Sequence, residues 1–373
     1  MAYWLKTAGV CAGLCQNVNV WITSSLSTAH TPTDIALGNF DGVHLGHQTV
    51  IHPIVAATAA ATADAPAPGA TPLTFSSLQG YSDRCPFLLA PCDFQAASPP
   101  AELPLGSPSP IPTVVTFYPH PQEFFTGEVR PWLTPLAEKA ALMKQLGVRQ
   151  LLLLPFNAEL VHLPPEVFVE KVLLERLQAR HISVGSDFRF GHQRAGTVSL
   201  LERLATQHGT RVTVVDLAQS AGDRISSSRI RQALCTGDID PVQQLMGRPY
   251  RLIGQVVKGQ QLGRTLGFPT ANLQLPPEKF LPRTGVYSVL VYDVPGAAPG
   301  QGLPGVMNLG VRPTVDGQHQ AIEVHLLGWQ GNLYGQTLTV ALQSFLRPEQ
   351  RFASLDRLKA QIQADCEAAA AIL

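Results

Sequence analysis

Residues 35–47, IALGNFDGVHLGH, run from an apolar, β-favouring stretch through two glycines into a helical pattern carried by Val50, Ile51, Ile54 and Val55. A strand that turns through glycine directly into a helix is the opening of a β-α unit. The same alternation recurs downstream. β-rich runs at Thr113–Phe117, Gln150–Phe156, His181–Gly185 and Arg211–Leu217 are separated by helical patterns at Pro135–Leu146, Pro164–Arg180 and Thr197–His208, and Ser227–Leu234 follows the last. The Leu151–Leu154 run has no wet face, as expected of a parallel strand covered on both sides. The first half is therefore expected to be an α/β doubly wound, Rossmann-like domain.

From Arg248 the rhythm changes. Short β runs at Tyr250–Val257, Val286–Asp293, Gly305–Leu309, Ile322–Leu327 and Thr337–Leu346 are punctuated by Gly and Pro, and Leu355–Ala371 has helical spacing. That pattern predicts an antiparallel β-barrel or sandwich capped by a C-terminal helix. The expected organisation is a tail at 1–18, a first domain at 19–236, a linker helix at 237–247 and a second domain at 248–373. Between about residues 58 and 112 the chain turns Ala-rich and then Pro- and Ser-rich (ADAPAPGATPL, AASPPAELPLGSPSPIP), which predicts a disordered insertion in preference to a lid.

Composition narrows the function. Among 373 residues, 27 Lys plus Arg balance 27 Asp plus Glu, so the basic excess of a nucleic-acid binder is missing. The six cysteines show no C-x-x-C spacing, which argues against a disulfide framework or zinc site and for a reducing, cytoplasmic location. The N-terminus lacks the sustained apolar core of a signal peptide, and no stretch approaches the ~18 apolar residues of a membrane span.

Two constellations carry chemistry. In the first, Gly38 and Gly42 allow backbone to approach a ligand, and His44 and His47 stand three apart where a helix N-terminus offers free N–H groups and positive potential. This is a place to hold a triphosphate and stabilise a reacting phosphoryl group; an isolated H-x-x-H would more simply be surface histidines. Val184–Gly191 (VGSDFRFG) and Ile225–Arg231 (ISSSRIR) follow later strands, at the edge where open α/β sheets bind ligands. Ser227, Ser228 and Arg231 would clamp phosphate, although serines at a helix start can be plain N-caps. In the second constellation, residues 258–272 (KGQQLGRTLGFPTAN) space Gly259, Gly263 and Gly267 to wrap phosphates, beside Arg264. Thr270 and Asn272 offer hard oxygens on one side of an extended segment, suited to Mg²⁺, unless Gly-Phe-Pro-Thr is only a turn. Alternation in Ile322–Leu327 puts Glu323 and His325 on one face of a strand.

GNFDGVHLGH, TFYPHP, VGSDFRFG and ISSSRIR resemble the adenylyltransferase half of the prokaryotic bifunctional riboflavin kinase/FAD synthetases, with the H-x-G-H signature at His44, Gly46 and His47. GRTLGFPTANL, GVYSV, NLGVRPT, EVHLL, LYG and LRPEQRF resemble the kinase half. The resemblance covers about residues 19–370. It implies phosphorylation of riboflavin to FMN by ATP, then adenylylation of FMN to FAD with release of pyrophosphate, with Mg²⁺ as cofactor. It implies that Thr270 and Asn272 hold Mg²⁺–ATP and that Glu323 is the general base. Candidate nucleotide- or flavin-contacting residues are Gly38, Phe40, Asp41, Gly42, Asp187, Phe188, Arg189, Ser227, Ser228, Arg231, Gly259, Gly263, Arg264, Gly267 and Arg347. The chain departs from the family in Ser228, where Thr is frequent, in the Pro-rich insertion, and in lacking an Arg after the last helix. The alternatives are retention of one activity alone, a non-catalytic flavin-binding protein, or a nucleotidyltransferase for another phosphate acceptor, which would leave the second domain idle.

Overall fold

The computed structural model describes residues 20–61, 109–220, 222–259, 262–314 and 317–373. The expected tail and nearly all of the expected insertion lie outside the described residues. Contacts divide the described chain into two units, 20–61 with 109–226, and 227–373.

The first unit is built on a six-stranded sheet of β1 (Trp21–Thr23), β2 (Thr33–Leu37), β3 (Ile111–Tyr118), β4 (Gln150–Pro155), β5 (Ala179–Gly185) and β6 (Arg211–Val215), ordered β1-β4-β3-β2-β5-β6 with every pair parallel. Side chains alternate between two cores. Ile35, Leu37, Leu152 and Leu154 enter one with Phe168 and Leu173, while Ala36, Leu151 and Leu153 enter the other with Ile51, Ile54 and Met143. Burial on both faces is why Leu151–Leu154 is apolar throughout. Helices α1 (Leu45–Ala61), α2 (Pro121–Thr126), α3 (Leu136–Gln145) and α4 (Val198–Gln207) follow their strands, and Phe168–Arg176 is a π-helix. The chain moves from β2 to β3 and β4 on one side, then to β5 on the other. The topological switch therefore lies between β2 and β5, and the crevice beyond their carboxyl ends is where such sheets bind ligands.

The opposite edge of this sheet is closed by a polar cluster. Asp34 pairs in register with His181, and its Oδ2 accepts from Thr58 Oγ1 of α1 at 3.3 Å. His181 is 3% exposed; its Nδ1 accepts from Arg211 Nη2 at 3.1 Å and its Nε2 donates to Thr213 Oγ1 at 2.8 Å. A guanidinium can only donate, so the proton sits on Nε2 and the ring is neutral.

A two-stranded ribbon, β7 (Gln219–Ser220) with β8 (Asp223–Arg224), ends the first unit. The second opens with α5 (Ser227–Thr236) and α6 (Ile239–Met246), and β9 (Arg251–Val257), β10 (Ala271–Gln274), β11 (Gly285–Tyr292), β12 (Leu303–Thr314), β13 (Gly317–Leu326) and β14 (Thr337–Arg347) close into a barrel ordered β10-β13-β12-β11-β14-β9. Leu252, Val289, Met307, Val324, Leu338 and Val340 are fully buried. The last helix, α7 (Leu355–Ile372), packs Cys366 and Ala369 on Val286 and Val306. Of the two expected architectures, the closed barrel is the one adopted.

Burial and the adjacent Arg211 push His181 down to about 4, below its ordinary value near 6.5. The unfolded chain then binds the extra proton first, so this group's stabilisation is complete above pH ~6.5 and is lost as pH falls toward about 4. Asp34, raised by burial, works in the opposite sense. Thermal melting from pH 7.5 to 4.5 is expected to fall more steeply for the wild type than for His181→Gln.

Candidate active sites

The carboxyl end of β2 passes into a loop whose backbone is unusual. Phe40 (φ 48°), Gly42 (φ 87°) and Val43 (φ 42°) all occupy the left-handed region, which costs of order 1–3 kcal/mol for a non-glycine residue and requires outside support. That support is visible at nearly every peptide. The Asn39 carbonyl accepts from Thr116 Oγ1 and Lys139 Nζ, Leu133 N donates to Asp41 Oδ1 at 2.9 Å, and Gly42 N donates to Thr134 Oγ1 at 3.0 Å. The Phe40 ring is buried and lies 5.2 Å from the ring of His47.

The loop delivers two imidazoles to the first turn of α1. The rings of His44 and His47 stack with centroids 3.6 Å apart and 14° between planes. His47 N donates to the His44 carbonyl at 2.8 Å and to His44 Nδ1 at 3.2 Å, so Nδ1 of His44 acts as an acceptor. A β-carbon at Gly46 would lie 3.3 Å from that ring, so glycine is what allows the stack. The first turn of α1 holds no acidic residue, which leaves its positive end for an anion.

Loops from neighbouring strands reach the same edge. After β5, Phe188 stacks near Phe190 (5.8 Å), Arg189 is exposed, and Asp187 Oδ2 meets Arg224 Nη2 at 2.5 Å with both side chains about half exposed. After β3 and β4, Phe124 and Phe125 pack edge-to-face against Phe156, and Phe125 remains 69% exposed. His120 caps α2, its Nδ1 accepting from Gln122 N; burial and the nearby Arg130 push it down to about 4. Lys139 is buried, so desolvation lowers it, against the pull of Asp41. Sequence reasoning quoted His120 only within TFYPHP and missed the aromatic ledge, for which the Phe-Phe pair two residues after that motif was the available signal.

Ser227, Ser228 and Arg231 fall on α5 in the second unit, where the Arg231 guanidinium lies 4.6 Å from the Phe280 ring.

In the barrel, register assembles the second constellation. Asn272 of β10 stands opposite Glu323 of β13, Glu323 opposite Asn308 of β12, Asn308 opposite Val286 of β11, and Val286 opposite Arg347 of β14. Opposed residues share a face with β-carbons about 5 Å apart, so the carboxylate of Glu323 is flanked by two amides. Ile322 and Val324 point into the core while Glu323 is half-buried outside it. The glycine-rich segment closes over this row. A β-carbon at Gly259 would collide with the Asn272 amide, and one at Gly263 would collide with the Phe268 carbonyl and crowd Thr270 Oγ1. Gly267 (φ 91°) forms the turn before Thr270. Arg264 lies in the short helix Leu262–Thr265, its side chain outside those described.

Arg347 is committed elsewhere. Its Nε and Nη2 donate to the Asp365 carboxylate of α7 at 2.7–3.2 Å, and Nη1 donates to the Pro348 carbonyl. The pair is nearly buried, 15% and 7% exposed, and pins the last helix to β14.

The folds, one an open parallel sheet with imidazoles at its switch point and the other a closed barrel with a carboxylate among amides, define two phosphate-handling modules on one chain. A family model described as FAD synthetase matches residues 26–67 and 108–229, and one described as riboflavin kinase matches 246–373. The bifunctional riboflavin kinase/FMN adenylyltransferase of Pseudomonas fluorescens is 39% identical over 349 residues, 93% of this chain and 95% of that protein. That of Escherichia coli K12 is 36% identical over 333 residues, covering 89% and 90%. A solved Streptococcus pneumoniae structure described as a macrolide-efflux protein superposes with a TM-score of 0.72 at 27% identity, over 94% of this chain and 99% of that one. Among the described residues no helix is long and apolar enough to cross a membrane. The chain belongs to the bifunctional riboflavin kinase/FMN adenylyltransferase family and is an enzyme with both activities.

Gly46→Ala is expected to push the His44–His47 stack apart and to lower FAD formation at least tenfold with FMN formation unaltered, as read by flavin chromatography. Asp365→Ala leaves the Arg347 guanidinium buried without its carboxylate. It is expected to destabilise the second unit by about 3 kcal/mol in denaturant titration, with Asp365→Asn intermediate.

Proposed function

We propose that the kinase chemistry runs on the row of Asn272, Glu323 and Asn308, and the adenylyl transfer at the histidine stack. The kinase half converts riboflavin and ATP to FMN and ADP, and the other half converts FMN and ATP to FAD and pyrophosphate. The observation that carries the assignment is the register of β10, β13 and β12, which flanks one carboxylate with amides under a glycine-rich loop.

The two reactions need different help. Riboflavin's 5′-hydroxyl is a weak nucleophile; as its oxygen bonds to the γ-phosphorus and ADP departs, Glu323 takes the hydroxyl proton. The FMN phosphate is already ionised, so its attack on the α-phosphorus of ATP, expelling pyrophosphate, requires alignment and charge neutralisation but no base. His44, His47 and the amino end of α1 supply these, with Asp187 and Arg189 at the rim. Gly38, Phe40 and Gly42 meet the nucleotide through the loop backbone, whose shape Asp41 maintains. Phe188 and the Phe124–Phe125 ledge offer ring surfaces for flavin or adenine.

Thr270 and Asn272 fit a hard divalent cation such as Mg²⁺: both present neutral oxygens beside a carboxylate, in a cradle that a β-carbon at Gly259 or Gly263 would fill. When bound, Mg²⁺ neutralises phosphate charge; the chain's own residues orient the nucleotide, with Gly259, Gly263, Arg264 and Gly267 around its phosphates. Arg347 contributes by fixing the segment after β14. ATP as co-substrate and the sparse cysteines support a cytoplasmic enzyme. The domain assignment follows the motifs: adenylyltransferase at 19–236, kinase at 248–373 and a joining helix at 237–247.

Incubation with riboflavin, ATP and Mg²⁺, followed by chromatography of the flavins, tests the division of labour. His47→Ala is expected to lower FAD formation by roughly 10²–10³-fold while FMN accumulates. Glu323→Gln is expected to lower FMN formation by roughly 10²–10⁴-fold while supplied FMN is still adenylylated. Equal loss of both activities in either variant would overturn the assignment.

A further inference from the structure

The mechanism leaves one polar side chain of the kinase face unused. His325 follows Glu323 by two residues on β13, so both project from the outer face while Val324 and Leu326 enter the core. Its Nδ1 lies 2.8 Å from the Pro269 carbonyl oxygen, and Phe268 meets its ring edge-on at 5.6 Å and 84°. A carbonyl can only accept, so Nδ1 carries the proton in this contact.

The place of this bond in the sheet gives it meaning. Pairing between β10 and β13 begins at Ala271 opposite Val324, so Thr270 and Pro269 lie just past the end of the ladder. The approach to Thr270 is held from the other side by the Gly263 carbonyl, which accepts from Leu266 N at 3.2 Å and Phe268 N at 2.8 Å. Pro269 has no N–H to give. Beyond the end of the ladder, the His325 imidazole thus joins the residue before Thr270 to the strand that carries Glu323.

We propose that His325 is a positioning residue of the kinase reaction, its Nδ1–H bond to Pro269 holding the Thr270 hydroxyl in register with Asn272 and facing Glu323. The proposal rests on the reading that Thr270 and Asn272 hold the nucleotide phosphates. A residue acting this way sets how well ATP is bound and aligned, without taking part in proton transfer.

The side-chain amide nitrogen of asparagine matches the place of Nδ1, whereas that of glutamine reaches one bond further. Full-length His325→Asn, His325→Gln and His325→Leu would be assayed for riboflavin phosphorylation over a range of ATP concentrations, with adenylylation of supplied FMN as the folding control. The Leu and Gln variants are expected to raise the KM for ATP by on the order of tenfold, with kcat changed less than about threefold. The Asn variant is expected to recover most of the affinity, and FAD formation is expected to be unaffected in all three. An ATP KM within twofold of wild type for both Leu and Gln, failure of Asn to recover it, or a fall in kcat at constant KM would each overturn the proposal. If the Leu variant does not fold, the contrast of Asn with Gln decides alone. Thr270→Val, measured in parallel, separates the two levels: a raised ATP KM there with His325 variants unchanged removes only this inference, and an unchanged KM in Thr270→Val removes the underlying reading as well.

Discussion

A parallel strand packed by helices on both faces has no free surface except at its ends, and that constraint sets where the first unit can do chemistry. Alternate side chains of β2 and β4 enter two different cores, so nothing along the strands is available to a ligand. What remains is the edge, and the topology offers only the switch point between β2 and β5 as a crevice. The loop Gly38–Val43 has to turn there within a few residues, and it does so through left-handed backbone that surrounding groups hold in shape. The barrel obeys the complementary rule. β10 and β13 alternate buried and part-exposed residues, so a site can be written along their outer face as a cross-strand row.

Charge follows the same division. The chain is neutral as a whole, so affinity for polyphosphates must be local. In the first unit the amino end of α1 is free of acidic side chains and lies beside imidazoles that stack on each other. In the second, amide groups flank one carboxylate in register, and Arg347 is paired with Asp365. An Arg so occupied holds α7 in place.

Strand and helix positions in both halves were legible in the sequence because each rests on local periodicity: Leu151–Leu154 reads as a doubly buried strand with no knowledge of its neighbours. The features that escaped are those fixed by pairing between distant segments. Trp21–Thr23 is too short to show a period and becomes β1 only by lying beside β4. Ala271–Gln274 read as a motif, and its identity as the strand opposite Glu323 depends on register. Gly305–Leu309 and Ile322–Leu327 marked the halves of β12 and β13 away from their shared hairpin but not the full strands, because the residues toward the hairpin are mostly polar in sequence. The partner of Arg347, Asp365 on the last helix, likewise stays invisible until the helix docks.

The two carboxylates nearest the chemistry illustrate why the halves are not interchangeable. Asp41 is 6% exposed, with one oxygen accepting the Leu133 amide and the buried Lys139 nearby. In the adenylyl transfer proposed for this half the nucleophile is already an anion, so no base is asked of this carboxylate. Glu323 stands half-buried on an outer face, with Asn272 and Asn308 on either side in register. The two settings serve different ends: the Asp41 carboxylate receives the Leu133 amide and so ties the loop that carries the histidines to a distant segment, whereas Glu323 is placed by strand register between two amides.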